Sequence, residues 1–135
     1  MSEELSMLLK RAIEDELYAS EAFIKLAGHE SLPLDVIYHF LTYSQQESEH
    51  AKLLLEVAEQ HQITIHLEKI KGPVIEDVLS FIVEYRAHEE SGIFYYDTLL
   101  SYELDEDIKI IIEKIRDEEK KHYDFLGYLL EKNRK

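Results

Sequence analysis

The sequence predicts an all-α fold, a bundle of four helices arranged as two antiparallel hairpins joined by a long crossover. Three observations carry this expectation. Apolar residues recur with the 3.6-residue helical period in four windows. The 135 residues include only four Gly and two Pro, too few for a fold of many turns. Two Glu-x-x-His pairs, Glu47 with His50 and Glu119 with His122, fall in the middle of the second and fourth windows.

The first helix is expected over residues 3–27, with Ser2 as its cap and Gly28 at its end. Its inner stripe is Leu5, Leu9, Ala12, Glu16, Ala19, Phe23 and Leu26. Pro33 opens the second helix, residues 33–60, whose stripe is Ile37, Phe40, Tyr43 or Ser44, Glu47, His50, Leu54 and Val57. Pro73 opens the third, residues 73–102, with Val78, Ile82, Tyr85, Glu89, Gly92, Tyr96 and Leu99 inside. The fourth covers residues 105–132, with Ile108, Ile112, Ile115, Glu119, His122, Phe125 or Leu126, and Leu129 inside.

The links differ in length. Helices one and two, and helices three and four, are joined by short turns, which makes each pair a hairpin. Residues 61–74 are longer, and Ile63, Ile65 and Leu67 alternate as in an extended chain. Fourteen residues reach roughly 46 Å, and a 27-residue helix is roughly 40 Å long. The segment can therefore run the length of a bundle and set helix three parallel to helix two.

Composition bounds the function. A chain of 135 residues, 45% hydrophobic, suits one domain spanning 1–135. No apolar run approaches about 18 residues, so no membrane span is expected. The start, MSEELSMLLK, has no basic region before an apolar run, so it is not a secretory signal. Zero Cys excludes disulfides, thiolate metal sites and a cysteine nucleophile, and fits a cytoplasmic protein. A net charge of −14 argues against nucleic acid and anionic membranes as partners.

Random placement of 21 Glu and 7 His gives about one Glu-x-x-His pair, so the count of two decides little. Placement decides more. Residues three apart share a helix face, so each pair aims a carboxylate and an imidazole the same way. Each has a glutamate mate on the preceding helix at matched spacing: Glu16 lies 31 residues before Glu47, and Glu89 lies 30 before Glu119. The halves read as a diverged repeat, in which a shift of 73 maps Glu16, Ala19, Phe23 and Leu26 onto Glu89, Gly92, Tyr96 and Leu99. A shift of 72 maps Glu47, His50 and Leu54 onto Glu119, His122 and Leu126.

Four carboxylates and two imidazoles inside a helical bundle suit two divalent metals. Carboxylate oxygen is a hard ligand able to bridge two ions, and imidazole favours first-row transition metals over magnesium or calcium. The expected set has Glu16 and Glu89 as terminal ligands, Glu47 and Glu119 as bridges, and His50 and His122 as one nitrogen per ion. Four ligand carboxylates and two divalent ions cancel in charge. Burying six such residues without a counterion would be prohibitive.

Around these ligands several readings stay open. Ala19 and Gly92 are small, leaving room for metal and oxygen ligands or serving close helix packing. Tyr96, two turns past Glu89, is either a hydrogen-bonding or redox partner or an ordinary core tyrosine; Phe23 holds the matching place in the first half. Tyr43 and Asp117 are candidates to orient the ligand histidines. His29, His61 and His66 fall in or near loops, and His39 and His88 lack the carboxylate partner of the motif.

The motifs DELYASEAF around Glu16, QQESEHAKLL around Glu47 and His50, HEESGIFYY around Glu89, and RDEEKKHYDFL around Glu119 and His122 resemble those of the ferritin-like superfamily. The nearest resemblance is to rubrerythrin-type and bacterioferritin-type di-iron carboxylate proteins, over essentially the whole chain. It implies two iron ions, with manganese as an alternative, and oxidation of Fe(II) by O2 or H2O2. The departures matter as much. Zero Cys means no rubredoxin centre, so a separate electron donor is expected. Arg86 and Gly92 stand where rubrerythrins carry a second helix-three glutamate, which weakens the expectation of their peroxidase switch. Ser48 stands where bacterioferritins place a haem-binding Met, so no haem is expected. The sequence stops with helix four, which points to a small homo-oligomer, a dimer through Phe81, Phe94 and Tyr95, rather than a 24-subunit cage. A di-iron oxidoreductase is the leading expectation, and a non-catalytic iron-handling protein is the alternative.

Overall fold

The computed structural model describes residues 3–133, and the expected Ser2 cap lies outside them. Among the described residues there are four helices and no strand: α1 (Glu3–Ala27), α2 (Leu34–Gln60), α3 (Val78–Leu100) and α4 (Glu106–Lys132). The chain divides into two compact units, Met1–Ile75 and Glu76–Lys135. Each contains one helical hairpin.

In the first unit α1 ends where Gly28 donates its N–H to the Ile24 and Lys25 carbonyls, both at 3.2 Å. Pro33 caps α2 in extended conformation. Its carbonyl accepts the N–H groups of Val36 and Ile37 at 3.1 and 3.0 Å, and Asp35 sits in the first turn where the helix dipole favours a negative charge. Leu9, Ile13, Phe23, Leu26, Phe40 and Leu54 are fully buried. The Phe23 ring stacks on Phe40 at 5.8 Å and meets the Tyr43 ring edge-on at 5.5 Å. On α2 the buried residue near the start is Val36, with Ile37 only half-buried. Val36, Phe40, Ser44 and Glu47 form one continuous stripe at steps of four, four and three, and Ile37 lies at its edge. The same stripe settles the choice between Tyr43 and Ser44: Ser44 is buried, and Tyr43 is half-buried.

α2 stops by a backbone device. Gln62 takes φ 57°, its N–H reaches the Glu59 carbonyl at 3.0 Å, and the Ile63 N–H reaches back to the Ala58 carbonyl at 2.8 Å. This pair of bonds is the Schellman pattern, with Gln62 at the left-handed position that glycine usually fills. The chain beyond is extended. At Gly72 it lies hard against α1, where a Cβ would stand 2.8 Å from the Glu21 Cβ and 3.3 Å from the Lys25 Cε.

In the second unit the third helix begins at Val78 rather than at Pro73. Proline's fixed φ fits an extended chain as readily as a first helical turn, so Pro73 stays in the crossover. The helix starts instead after Asp77, whose carbonyl accepts the Phe81 N–H at 3.0 Å and whose carboxylate accepts the Ser80 hydroxyl at 2.8 Å. Asp105 does the same for α4, its carbonyl accepting the Ile108 and Lys109 N–H groups. Ile82, Tyr85, Tyr96 and Leu99 of α3 are buried, as are Ile108, Ile112, Ile115, Leu126 and Leu129 of α4. Leu126, not Phe125, takes the inner position.

Candidate metal centre

Each hairpin carries one Glu–Glu–His trio in its buried stripe. In the first unit, Glu16 comes from α1 and Glu47 and His50 from α2, with exposures of 3%, 1% and 1%. The His50 Nδ1 lies 3.1 Å from the Glu16 Oε2 and 3.2 Å from the Glu47 Oε1. In the second unit, Glu89 comes from α3 and Glu119 and His122 from α4, with exposures of 1%, 4% and 0%. Each of these three offers a ligand atom within 4.8 Å of the others. All six residues singled out in the sequence are therefore buried, and each half-set is gathered within its own hairpin.

The donor chemistry fits a divalent transition metal. Two carboxylates and one neutral imidazole carry −2, which one divalent ion cancels. Glutamates buried this deeply are rare unless paired or metal-bound. The oxygen-plus-imidazole set is harder than a thiolate site and softer than a calcium cage.

Two arrangements that sequence reasoning missed hold the trios in register. Between α1 and α2, the Ser20 Oγ donates to the Ser44 carbonyl at 3.0 Å, and the Ser44 Oγ donates back to the Ser20 carbonyl at 2.8 Å. The Ser20 hydroxyl also lies 2.8 Å from that of Ser48. Ser20 follows Glu16 by one turn, and Ser44 precedes Glu47 by one, so the bracket fixes the two glutamates axially. The available signal was small hydroxyl residues one turn from Glu16 and from Glu47 on facing helices. Between α3 and α4, the Arg86 guanidinium lies 4.1 Å over the Tyr123 ring, and its Nε donates to the Tyr123 carbonyl at 3.4 Å. A Cβ at Gly127 would stand 2.6 Å from the Arg86 Nη2, so only glycine leaves that path open. The Tyr123 hydroxyl donates to Glu90 at 3.0 Å, and that bond pushes its pKa up.

The other candidates take clearer roles. Asp117 is exposed and accepts Arg116 at 3.4 Å; Arg116 also donates to Asp97 at 3.0 Å, and this bond, first among its contacts, raises its pKa. Tyr43 packs on Phe23, and burial pushes its pKa up. Tyr96 is buried beside Tyr95. The His39 Nδ1 lies 2.8 Å from the Asp35 carbonyl, and His88 stacks on Tyr85 at 5.3 Å. His66 is exposed, and His29 and His61 are half-buried. At Gly92 a Cβ would meet nothing within 4 Å, so close packing is not what the glycine serves.

Two solved structures of the ferritin PmFTN, in a variant with one glutamate changed to histidine, match this chain closely in shape. The crystal soaked in iron for 3 h aligns with a TM-score of 0.77 and 20% identity, over 96% of this chain and 88% of that one. The crystal soaked for 45 min aligns with a TM-score of 0.80 and 20% identity, over 97% and 89%. The fold is ferritin-like. It is the all-α four-helix bundle that the sequence predicted. No protein-family profile matches the chain, and no curated protein matches it. Among the described residues, no helix is long and apolar enough to cross a membrane.

Proposed function

We propose that Glu16, Glu47, His50, Glu89, Glu119 and His122 together hold two divalent transition-metal ions, iron first with manganese as the alternative. The reaction we assign is oxidation of Fe(II) by H2O2 or O2, as in a rubrerythrin-like oxidoreductase of oxidative-stress defence. One observation carries the reading: each hairpin buries a Glu–Glu–His trio whose charge one divalent ion would cancel. The resemblance of the four motifs to di-iron carboxylate proteins supports iron over other metals.

In this reading Glu47 and Glu119 would serve both ions, Glu16 and Glu89 would serve one ion each, and His50 and His122 would each give one nitrogen. Two ferrous ions held by these six residues would supply the two electrons that reduction of one H2O2 to two waters takes, with two protons. Re-reduction falls to a separate electron donor, since the sequence has no Cys for a rubredoxin-type centre. The expected setting is the cytoplasm, and the −14 charge supports neither nucleic acid nor membrane as a partner. We assign a dimeric state, to be checked by sedimentation. Phe94 on α3 is 69% exposed, whereas Phe81 and Tyr95 are half-buried; Leu34 and Tyr38 on α2 expose more, at 84% and 71%.

A second reading is iron handling or storage without efficient turnover. It is favoured by the fold shared with iron-soaked ferritin crystals. Metal analysis followed by anaerobic titration of the Fe(II)-loaded protein with H2O2 separates the two. A paired site consumes about one H2O2 per two Fe(II), by the two-metal logic of a shared substrate clamp, and releases little hydroxyl radical. Consumption of one peroxide per iron, with radical yields like those of free Fe(II), refutes the paired site. Ferric iron accumulating well beyond the six-ligand set supports storage.

A further inference from the structure

On α3 the residues Ile82, Tyr85, Glu89, Gly92, Tyr96 and Leu99 follow one another at steps of three and four and share one face. All are buried except Gly92, which water reaches. The reason is local. A Cβ at Gly92 would meet nothing within 4 Å, whereas Cβ atoms at Gly72 and Gly127 would stand 2.8 and 2.6 Å from side-chain atoms, and one at Gly28 3.5 Å from a carbonyl. Gly92 is thus a gap in an otherwise closed stripe, and it is not forced there by crowding. A mid-helix glycine lowers helix stability relative to alanine, so the gap has a cost that packing does not explain. One turn before it sits Glu89, 1% exposed, in the trio with Glu119 and His122. Residues three apart on a helix have Cβ positions about 5–6 Å from each other. The opening is therefore beside a ligand carboxylate, at a distance a molecule of two or three heavy atoms spans.

We propose that the space at Gly92 is the opening through which a small neutral oxidant, H2O2 or O2, reaches the Glu89–Glu119–His122 donors. This inference rests on the metal reading given under the proposed function. The opening is one missing side chain wide, so it passes an oxidant of two heavy atoms and turns away larger reductants. Ala19, at the matching place on α1, is buried and offers no such gap.

The test fills the gap in steps. Gly92→Ala and Gly92→Leu are compared with the unsubstituted protein and with Ser91→Leu, which adds the same bulk at an exposed neighbour. Each protein is loaded with Co(II), and the bound metal is counted. Azide, a three-atom probe, is then titrated in while the visible Co(II) spectrum is followed. Stopped-flow measurement of Fe(II)-loaded protein with H2O2, and separately with O2, gives second-order rate constants. Co(II) content should be equal in all four. Gly92→Leu should lose the azide response and slow oxidation by about tenfold, the factor set by holding a side chain off its rotamer during entry. Gly92→Ala should do both to a smaller extent while melting higher than the unsubstituted protein. Slowing with only one oxidant assigns the opening to that oxidant. Should Gly92→Leu fail to fold, Gly92→Ala decides. Unchanged azide response and rates with full Co(II) content overturn the opening and leave the metal reading standing. Failure of the unsubstituted protein to bind Co(II) overturns both.

Discussion

Glu47→Gln should invert the protein's stability ranking according to whether metal is present. Glu47 and Glu16 both lie against the single Nδ1 of His50, at 3.2 and 3.1 Å, with exposures of 1% and 3%. The ring nitrogen makes its hydrogen bond to Glu16 and only an ion-pair contact with Glu47, and the low-dielectric surroundings strengthen the mutual repulsion of the two carboxylates. Gln keeps the shape and an accepting oxygen but removes one charge. Two carboxylates crowded in one buried site raise each other's energy, and neutralising one removes a repulsion on the order of 1–3 kcal/mol. Taking about 2 kcal/mol, and about 3–4 °C per kcal/mol for a chain of this size, the metal-free variant should melt about 7 °C above the parent. With Mn(II) at a hundred times its Kd, each bound ion adds about 2.7 kcal/mol to the parent. If Glu47 serves both ions as proposed, its variant loses both increments, and the parent then leads by about 3 kcal/mol. Circular-dichroism melts at pH 7, once with chelator and once with Mn(II), read this directly. A variant less stable than its parent in chelator, or equal gains from Mn(II) in both proteins, would refute the reasoning.

Three further outcomes follow from the backbone and the core. Gln62→Gly relieves a left-handed residue at the end of α2 and should stabilise by about 1 kcal/mol in urea titration. Gly72→Ala drives a methyl group into the Glu21 Cβ 2.8 Å away and should cost about 1–3 kcal/mol in the same assay, with an unchanged denaturant slope. Phe23→Ala empties a fully buried site stacked on Phe40 and should cost about 3–5 kcal/mol; a loss below 1 kcal/mol would mean the site collapses freely.

The fold and the trios were legible because both follow from helical periodicity. The first helix agrees with its expected bounds, the second and fourth begin one residue later than expected, and Glu16, Glu47, His50, Glu89, Glu119 and His122 all fall in buried stripes. What was not legible depends on partners distant in sequence. Pro73 is compatible with extended and helical backbone alike, and the third helix begins five residues later, after Asp77 and its bonds to Phe81 and Ser80. The bonds between Ser20 and Ser44 appear only when two helices are set side by side. Arg86 and Gly127, 41 positions apart, are linked only by a guanidinium crossing a neighbouring helix. Asp117 turns to Arg116 because a neighbouring cation attracts it more than any helix-face rule could indicate.

The serine bracket has a consequence for how this chain tolerates change. Reciprocal hydroxyl-to-carbonyl bonds on both sides of the α1–α2 seam act as a ruler. Sliding one helix by a turn, about 5.4 Å, would break both at once. The spacing of Glu16 against Glu47 is therefore measured at the serines and not by the turn at residues 28–33. That turn is free to lengthen: a residue inserted there would bulge outward and leave Glu16 and Glu47 where they are. Point changes at Ser20 or Ser44, far smaller than an insertion, would reach Glu16 and Glu47.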